Sequence, residues 1–180
     1  MRERTAKTKS SIENAVLNLS LKKALDEITV NEICEVCSIS RTTFYRYFDS
    51  IYEVLDELGE RHINGFLKIQ TEFFCKESMD DFQYVESLLN FIKSEQLFFK
   101  SVLGNNSNRP FLHRWKAIIK DDLKKKYLRE STTEYVNDLT LEMIVSACIG
   151  AYSYWLFHEE ISVRDVSENV LRQWNLNISR

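Results

Sequence analysis

Apolar residues recur three and four positions apart along almost the whole chain, and short polar clusters interrupt them. The first run covers about residues 6–22, with Ile12, Ala15, Val16 and Leu19 on one face. Thr29 and Glu32, three residues apart, form a capping box, so a helix is expected to start at Val30. Its apolar stripe is Val30, Ile33, Val36 and Cys37. Ser38, Ile39 and Ser40 break that pattern, and Ser40 can cap a second helix by accepting an amide of Thr42 or Thr43. In the second helix Phe44, Tyr47 and Phe48 form the inward set. A longer helix follows from Ser50 to about residue 75, again opened by a capping box, Ser50 with Glu53. Its inward positions are Val54, Leu55, Leu58, His62, Phe66, Ile69 and Phe73, with Tyr52 and Leu55 anchoring its head end.

Four further helices are expected. One starts near Ser78 and carries Phe82, Val85, Leu88, Leu89 and Ile92 inward, with Leu97 and Phe98 continuing its face. After a Gly-Asn-Asn-Ser-Asn-Arg-Pro loop at 104–110, another runs to about residue 129 with Phe111, Trp115, Ile118, Ile119, Leu123 and Tyr127 inward. A long helix occupies about 134–157, and a last one opens near Ser162 and ends near Trp174. With 4 Gly and 1 Pro in 180 residues, the chain is read as all-α. The division expected is a three-helix head, residues 1–49, and a helical body, residues 50–180.

The two short helices at 29–48 carry the chemistry. Two helices joined by a tight turn form a helix-turn-helix, whose second helix enters the DNA major groove. With Phe44, Tyr47 and Phe48 inward, Arg41, Thr42, Thr43, Tyr45 and Arg46 are left outward. Arginine bonds guanine edges bidentately, and threonine reaches bases or phosphates. Tyrosine hydroxyls commonly hold phosphates. The DNA-contacting set is therefore Ser40, Arg41, Thr42, Thr43, Tyr45 and Arg46, with Thr29 and Asn31 helping from the first helix.

Charge narrows this picture. The chain is 28% charged with a formal net charge of −3. Residues 1–50 hold eight basic and seven acidic residues, while residues 51–180 hold sixteen and twenty. The positive charge is local and modest, as suits an operator-reading dimer better than a nonspecific binder. Arg2, Arg4, Lys7 and Lys9 concentrate it at the N-terminus. Cys34 and Cys37 form a C-x-x-C, but no second pair and no nearby histidine completes a zinc site, so both are read as small buried side chains. The absence of a cysteine framework suits a reducing cytoplasm. No phosphate loop, nucleophile elbow or metal-ligand cluster marks an enzyme, and no cofactor is expected. The longest uncharged stretch, residues 143–158, is shorter than a typical membrane span and is read as a buried helix. No signal peptide or membrane anchor is expected.

The stretch from Ile28 to Cys34, with Ile39, Ser40, Arg41, Thr42, Thr43, Phe44, Tyr45, Arg46, Tyr47 and Phe48, resembles the DNA-binding domain of TetR/AcrR-family transcriptional regulators. Two positions depart from that family. Ser38 stands where a turn glycine is usual, and Ile51 stands where a phosphate-reaching lysine is frequent. The second departure removes about one unit of salt slope. Phe91, Glu95, Phe98 to Leu103, Phe111, Gly150, Tyr154 and Trp155 resemble a C-terminal domain type of TetR-like regulators of Firmicutes. The resemblance implies a cytoplasmic repressor that binds a pseudo-palindromic double-stranded operator as a homodimer and answers a small-molecule effector. An adaptor or coactivator acting through a protein partner is the alternative.

For the body, the helix at 134–157 shows two apolar faces. Leu141, Ile144 or Val145, Cys148, Tyr152 and Trp155 form one; Met143, Ala147, Gly150 or Ala151 and Tyr154 form the other. The second face, with Val166, Val170 and Trp174, is the expected dimer interface. His62, Phe66, Phe91, Phe98, His113, Trp115, Tyr127 and Tyr152 are the candidate lining of an effector cavity.

Overall fold

The computed structural model describes residues 2–75, 80–104, 109–127 and 134–178, with side chains described over 5–73, 80–104, 110–124 and 138–173. Among them are nine α-helices and no strand: α1 (Arg2–Ser20), α2 (Val30–Cys37), α3 (Arg41–Tyr45), α4 (Ile51–Cys75), α5 (Asp81–Ser94), α6 (Gln96–Leu103), α7 (Arg109–Tyr127), α8 (Glu134–Leu156) and α9 (Val163–Ile178). The all-α architecture follows from a chain with almost no helix breakers. Two compact units divide the chain, Met1–His62 with Leu97–Phe111, and Ile63–Gln96 with Leu112–Arg180.

The first unit holds more than residues 1–49. Its core is built from Ile12, Val16, Ile28, Ile33, Phe44, Phe48, Val54 and Leu58, all buried. Polar clamps bind α1 to the first half of α4. The buried Glu13 carboxylate accepts both arms of the Arg61 guanidinium, at 3.0 and 2.6 Å. Such a fork fixes direction as well as distance. Lys9 pairs with Glu57 on the same helices. These contacts explain why the division falls inside the uninterrupted α4, after His62. α6 joins this unit through the 2.6 Å contact between the Ser20 and Ser101 hydroxyls and through His62. The His62 ring stacks on Phe98 at 3.8 Å, and its Nδ1 lies 2.6 Å from the Leu58 carbonyl oxygen.

A single helix through residues 78–98 was expected, and the chain instead bends at Glu95, which caps α5 with φ −110°. The bend separates Ile92, buried in the second unit, from Phe98, buried in the first. Tyr52 also departs from expectation. It is exposed, because Val54, Leu55 and Leu58 set the inward face of α4 and Tyr52 lies off it.

The second unit is packed around aromatic rings. Phe66 stacks on Trp115 at 5.0 Å and meets Phe91 edge-on at 5.2 Å, and Trp115 lies 6.2 Å from Tyr152. The buried Asp122 carboxylate accepts from the Tyr84 phenol and the Gln70 amide. Burial, then the Asp122 charge, pushes the Tyr84 phenol above its ordinary range. Lys116 and Lys120 on α7 both pair with Glu142 on α8, and Lys124 pairs with Asp138. α8 contains a stretch, Asp138–Leu156, long and apolar enough by composition to cross a membrane. Leu141, Val145, Cys148, Tyr152 and Trp155 on that stretch are buried within the unit, the behaviour of a core helix. The Trp155 indole donates to the Ile161 carbonyl at 2.9 Å, fixing the turn into α9.

Candidate DNA-binding surface

The site is built on helix caps made between residues close in sequence. Thr29 caps α2: its hydroxyl accepts the Glu32 amide at 3.3 Å, and the Glu32 carboxylate accepts the Thr29 amide at 2.9 Å. Lys23 locks the box from outside, with its ammonium 2.6 Å from Glu32 Oε1. The Lys23 and Thr29 hydrogen bonds hold the Glu32 carboxyl down to about 2. Along α2 the buried residues are Ile33 and Cys34, while Val36 is 63% exposed. The helix is only two turns long, and its inward stripe runs through Val30, Ile33, Cys34 and Cys37 rather than through Val36.

Ser38 ends α2 in the left-handed region, φ 53° and ψ 45°. Its amide donates to the Cys34 and Glu35 carbonyls, and the Ile39 amide donates to the Cys34 carbonyl at 3.0 Å. Glycine is the residue that this conformation favours, so serine here carries strain. Ser40 then caps α3, accepting the Thr43 amide at 3.1 Å. The chain leaves α3 as a turn through Arg46 and Tyr47, and α4 opens with Ser50 accepting the Glu53 amide at 3.2 Å.

Phe44 and Phe48 are buried and hold α3 against the unit. Arg41, Thr42, Tyr45 and Arg46 are exposed, and Thr43 is half-buried. The Arg41 guanidinium lies over the Tyr45 ring at 5.9 Å, and that of Arg46 lies over Tyr47 at 5.1 Å. Each arginine is thus steadied by an aromatic face. Thr29 and Asn31 are exposed at the start of α2. Tyr47, assigned inward from spacing alone, is only half-buried, and Arg46 Nη2 donates to its hydroxyl at 3.4 Å. Burial raises the Tyr47 phenol, but hydrogen bonds with Arg46, Thr5 and Thr8 outweigh it and leave the pKa below the ordinary value. No sequence signal separates such a residue from a core tyrosine. The N-terminal basic run is partly committed elsewhere: Lys9 lies over the Phe48 ring at 5.1 Å as well as pairing with Glu57.

The remaining candidates divide. Met143 and Tyr154 on α8 are 66% and 60% exposed, and Ala147, Gly150 and Ala151 beside them are exposed too. A groove of about 710 Å³ runs along this face and reaches Val166 and Val170 of α9. Those two valines are themselves buried within the unit. The Trp174 and Tyr127 side chains lie outside the described residues. Of the effector candidates, Phe66, Phe91, Trp115 and Tyr152 share the second unit, His62 and Phe98 pack on each other in the first, and His113 is exposed. Among the described residues no group of three metal-ligating side chains occurs.

Two family profiles match the chain. Residues 15–58 match "Bacterial regulatory proteins, tetR family", and residues 80–172 match "Transcriptional regulator C-terminal region". The HTH-type dhaKLM operon transcriptional activator DhaS of Lactococcus lactis is 24% identical over 114 residues, covering 62% of this chain and 58% of that protein. A TetR transcriptional regulator from Streptococcus agalactiae shares the fold at 23% identity and a TM-score of 0.68, with 96% of each chain covered. A TetR-family regulator from Bordetella parapertussis does so at 13% identity and a TM-score of 0.73, with 92% of this chain and 93% of that one covered.

Proposed function

The chain belongs to the TetR family of bacterial transcriptional regulators, and from that premise we propose that it binds a pseudo-palindromic operator as a dimer and represses transcription until an effector releases it. The observation that carries this reading is the exposed row Arg41, Thr42, Tyr45 and Arg46 on a helix capped by Ser40 and seated on Phe44 and Phe48. Arg41 and Arg46 read base edges, Tyr45 and the threonines hold phosphates, and Thr29 and Asn31 assist from α2. The open face of α8 supports pairing through Met143, Ala147, Gly150, Ala151 and Tyr154. A two-fold dimer sets two recognition helices about 34–36 Å apart, one turn of DNA.

The effector is a small molecule bound in the second unit, and α4, which carries residues of both units, transmits its binding. The coupling required is about 1–3 kcal/mol, or roughly 5–150-fold in DNA affinity. The protein works in the cytoplasm and performs no catalysis. The test is a gel shift and footprint on DNA flanking the gene, with a promoter reporter alongside. Two protected half-sites and a reporter that rises on deletion of the gene are expected. DhaS is named an activator, so a reporter that falls would assign activation to the same dimer. A protein that shifts no flanking DNA would instead favour the adaptor reading.

A further inference from the structure

Cys34 and Cys37 lie one helical turn apart at the end of α2, both as free thiols. Helix geometry sets their Cα atoms about 5 Å apart, within the range of about 4.4–6.8 Å that a disulfide spans. Cβ atoms at this spacing stand about 5–6 Å apart, wider than the roughly 3.5–4.5 Å of a closed bridge. Closure therefore requires the last turn of α2 to move. That turn closes the helix: Cys37 is the last residue of α2, and Ser38 after it is left-handed. It is also the turn that aims α3. The Cys34 carbonyl accepts the Ile39 amide and shares the Ser38 amide, and Ser40 caps α3 immediately afterwards. Cys37 tethers the same turn to α1, donating to the Ser11 carbonyl at 3.4 Å.

We propose that Cys34 and Cys37 form a dithiol that closes to an intrahelical disulfide on exchange with a low-molecular-weight disulfide, and that closure reshapes the turn before α3 and weakens DNA binding. The half-buried Cys37 reacts first. Its thiolate attacks the small disulfide, forms a mixed disulfide and expels one thiolate. Cys34 then loses its proton, attacks the Cys37 sulfur and expels the second thiolate. Two protein thiols are oxidised, the small disulfide is reduced to two thiols, and the two cysteine protons end on them. Burial, then the neighbouring Cys37, raises the Cys34 thiol, so the second attack is the slower one. Closure also removes the Cys37 tether to Ser11.

The effect on DNA rests on the proposed role of α3; the chemistry does not. The test treats the reduced full chain with oxidised glutathione and reads it three ways. Peptide mass mapping is expected to show loss of two hydrogens between Cys34 and Cys37. Hydrogen exchange is expected to accelerate at the Ser38 and Ile39 amides. Affinity for the DNA bound by the reduced protein is expected to fall by about tenfold or more and to return with dithiothreitol. Cys37→Ser, a change at a half-buried site, and Cys34→Ala are each expected to abolish all three responses while leaving reduced binding intact. A stable glutathione adduct on Cys37, a bridge to Cys75 or Cys148, or closure without faster Ile39 exchange would overturn the proposal. If the reduced protein binds no DNA, the functional reading fails, while mass and exchange still decide the dithiol.

Discussion

Arg41 and Tyr45 share one short helix, and the proposed function gives them different roles. The Arg41 guanidinium lies over the Tyr45 ring at 5.9 Å, and in the proposed function it reads a guanine edge bidentately. Arg41→Ala is expected to cost about 1–3 kcal/mol on the specific operator and to relax preference at one base pair. Tyr45→Phe removes only a hydroxyl, so it is expected to weaken specific and nonspecific DNA alike. Titrations of both variants against operator and scrambled duplex separate the two roles. Glu32 makes a different residue-scale prediction. Its carboxyl is held at about 2 in the fold, against an ordinary 4.5, by Lys23 and then Thr29. The folded protein thus holds this proton less tightly than the unfolded chain, and the stabilisation is present above pH 4.5 and lost as pH falls toward 2. Thermal melts across that window are expected to show a shallower acid decline for Glu32→Gln than for wild type.

Between elements, the α2–α3 turn and the approach of α5 to α4 are both tight. Ser38 holds φ 53° without being glycine. Ser38→Gly relieves a left-handed penalty of about 1–2 kcal/mol but loosens the unfolded chain, so a net gain of about 0.5–1 kcal/mol is expected. A denaturant titration checks it, and a loss of stability would show that serine is retained there for a contact of its own. Gly65 is the opposite case. A Cβ there would overlap the Phe91 ring, which is itself packed edge-on against Phe66. Gly65→Ala is expected to cost about 1–3 kcal/mol by overpacking, measured by the same titration. Phe91→Leu in the same chain should recover part of that loss.

At the scale of the whole molecule, α8 is sorted by burial into the two faces that its sequence contains. Cys148, Tyr152 and Trp155 face the core, while Met143 and Tyr154 face out. Gly150 has nothing within 4 Å of where a Cβ would stand. Gly150→Glu is therefore expected to leave the subunit folded and to break the proposed dimer. Light scattering should report a monomer with an unchanged helical circular dichroism spectrum. A Gly150→Glu protein that remains dimeric would move the interface off α8.

Local signals in the chain determined what depends on neighbours along it. Thr29 with Glu32, Ser40 before Thr43, and Ser50 with Glu53 each cap a helix through residues three apart, and all three caps appear where their spacing puts them. The helix-turn-helix and the family were legible for the same reason, since both are written in a contiguous stretch. Tertiary packing alone decided the rest. Val36 and Tyr52 are apolar by composition yet exposed, because their helices pack through adjacent stripes. Phe98 left the second unit because the chain bends at Glu95, and no periodicity announces a bend at a charged residue of good helix propensity. Neither His62 nor Tyr84 has a neighbour along the chain that names its partner. The fold stacks one on Phe98 and bonds the other to Asp122, a choice set by partners 36 and 38 residues away.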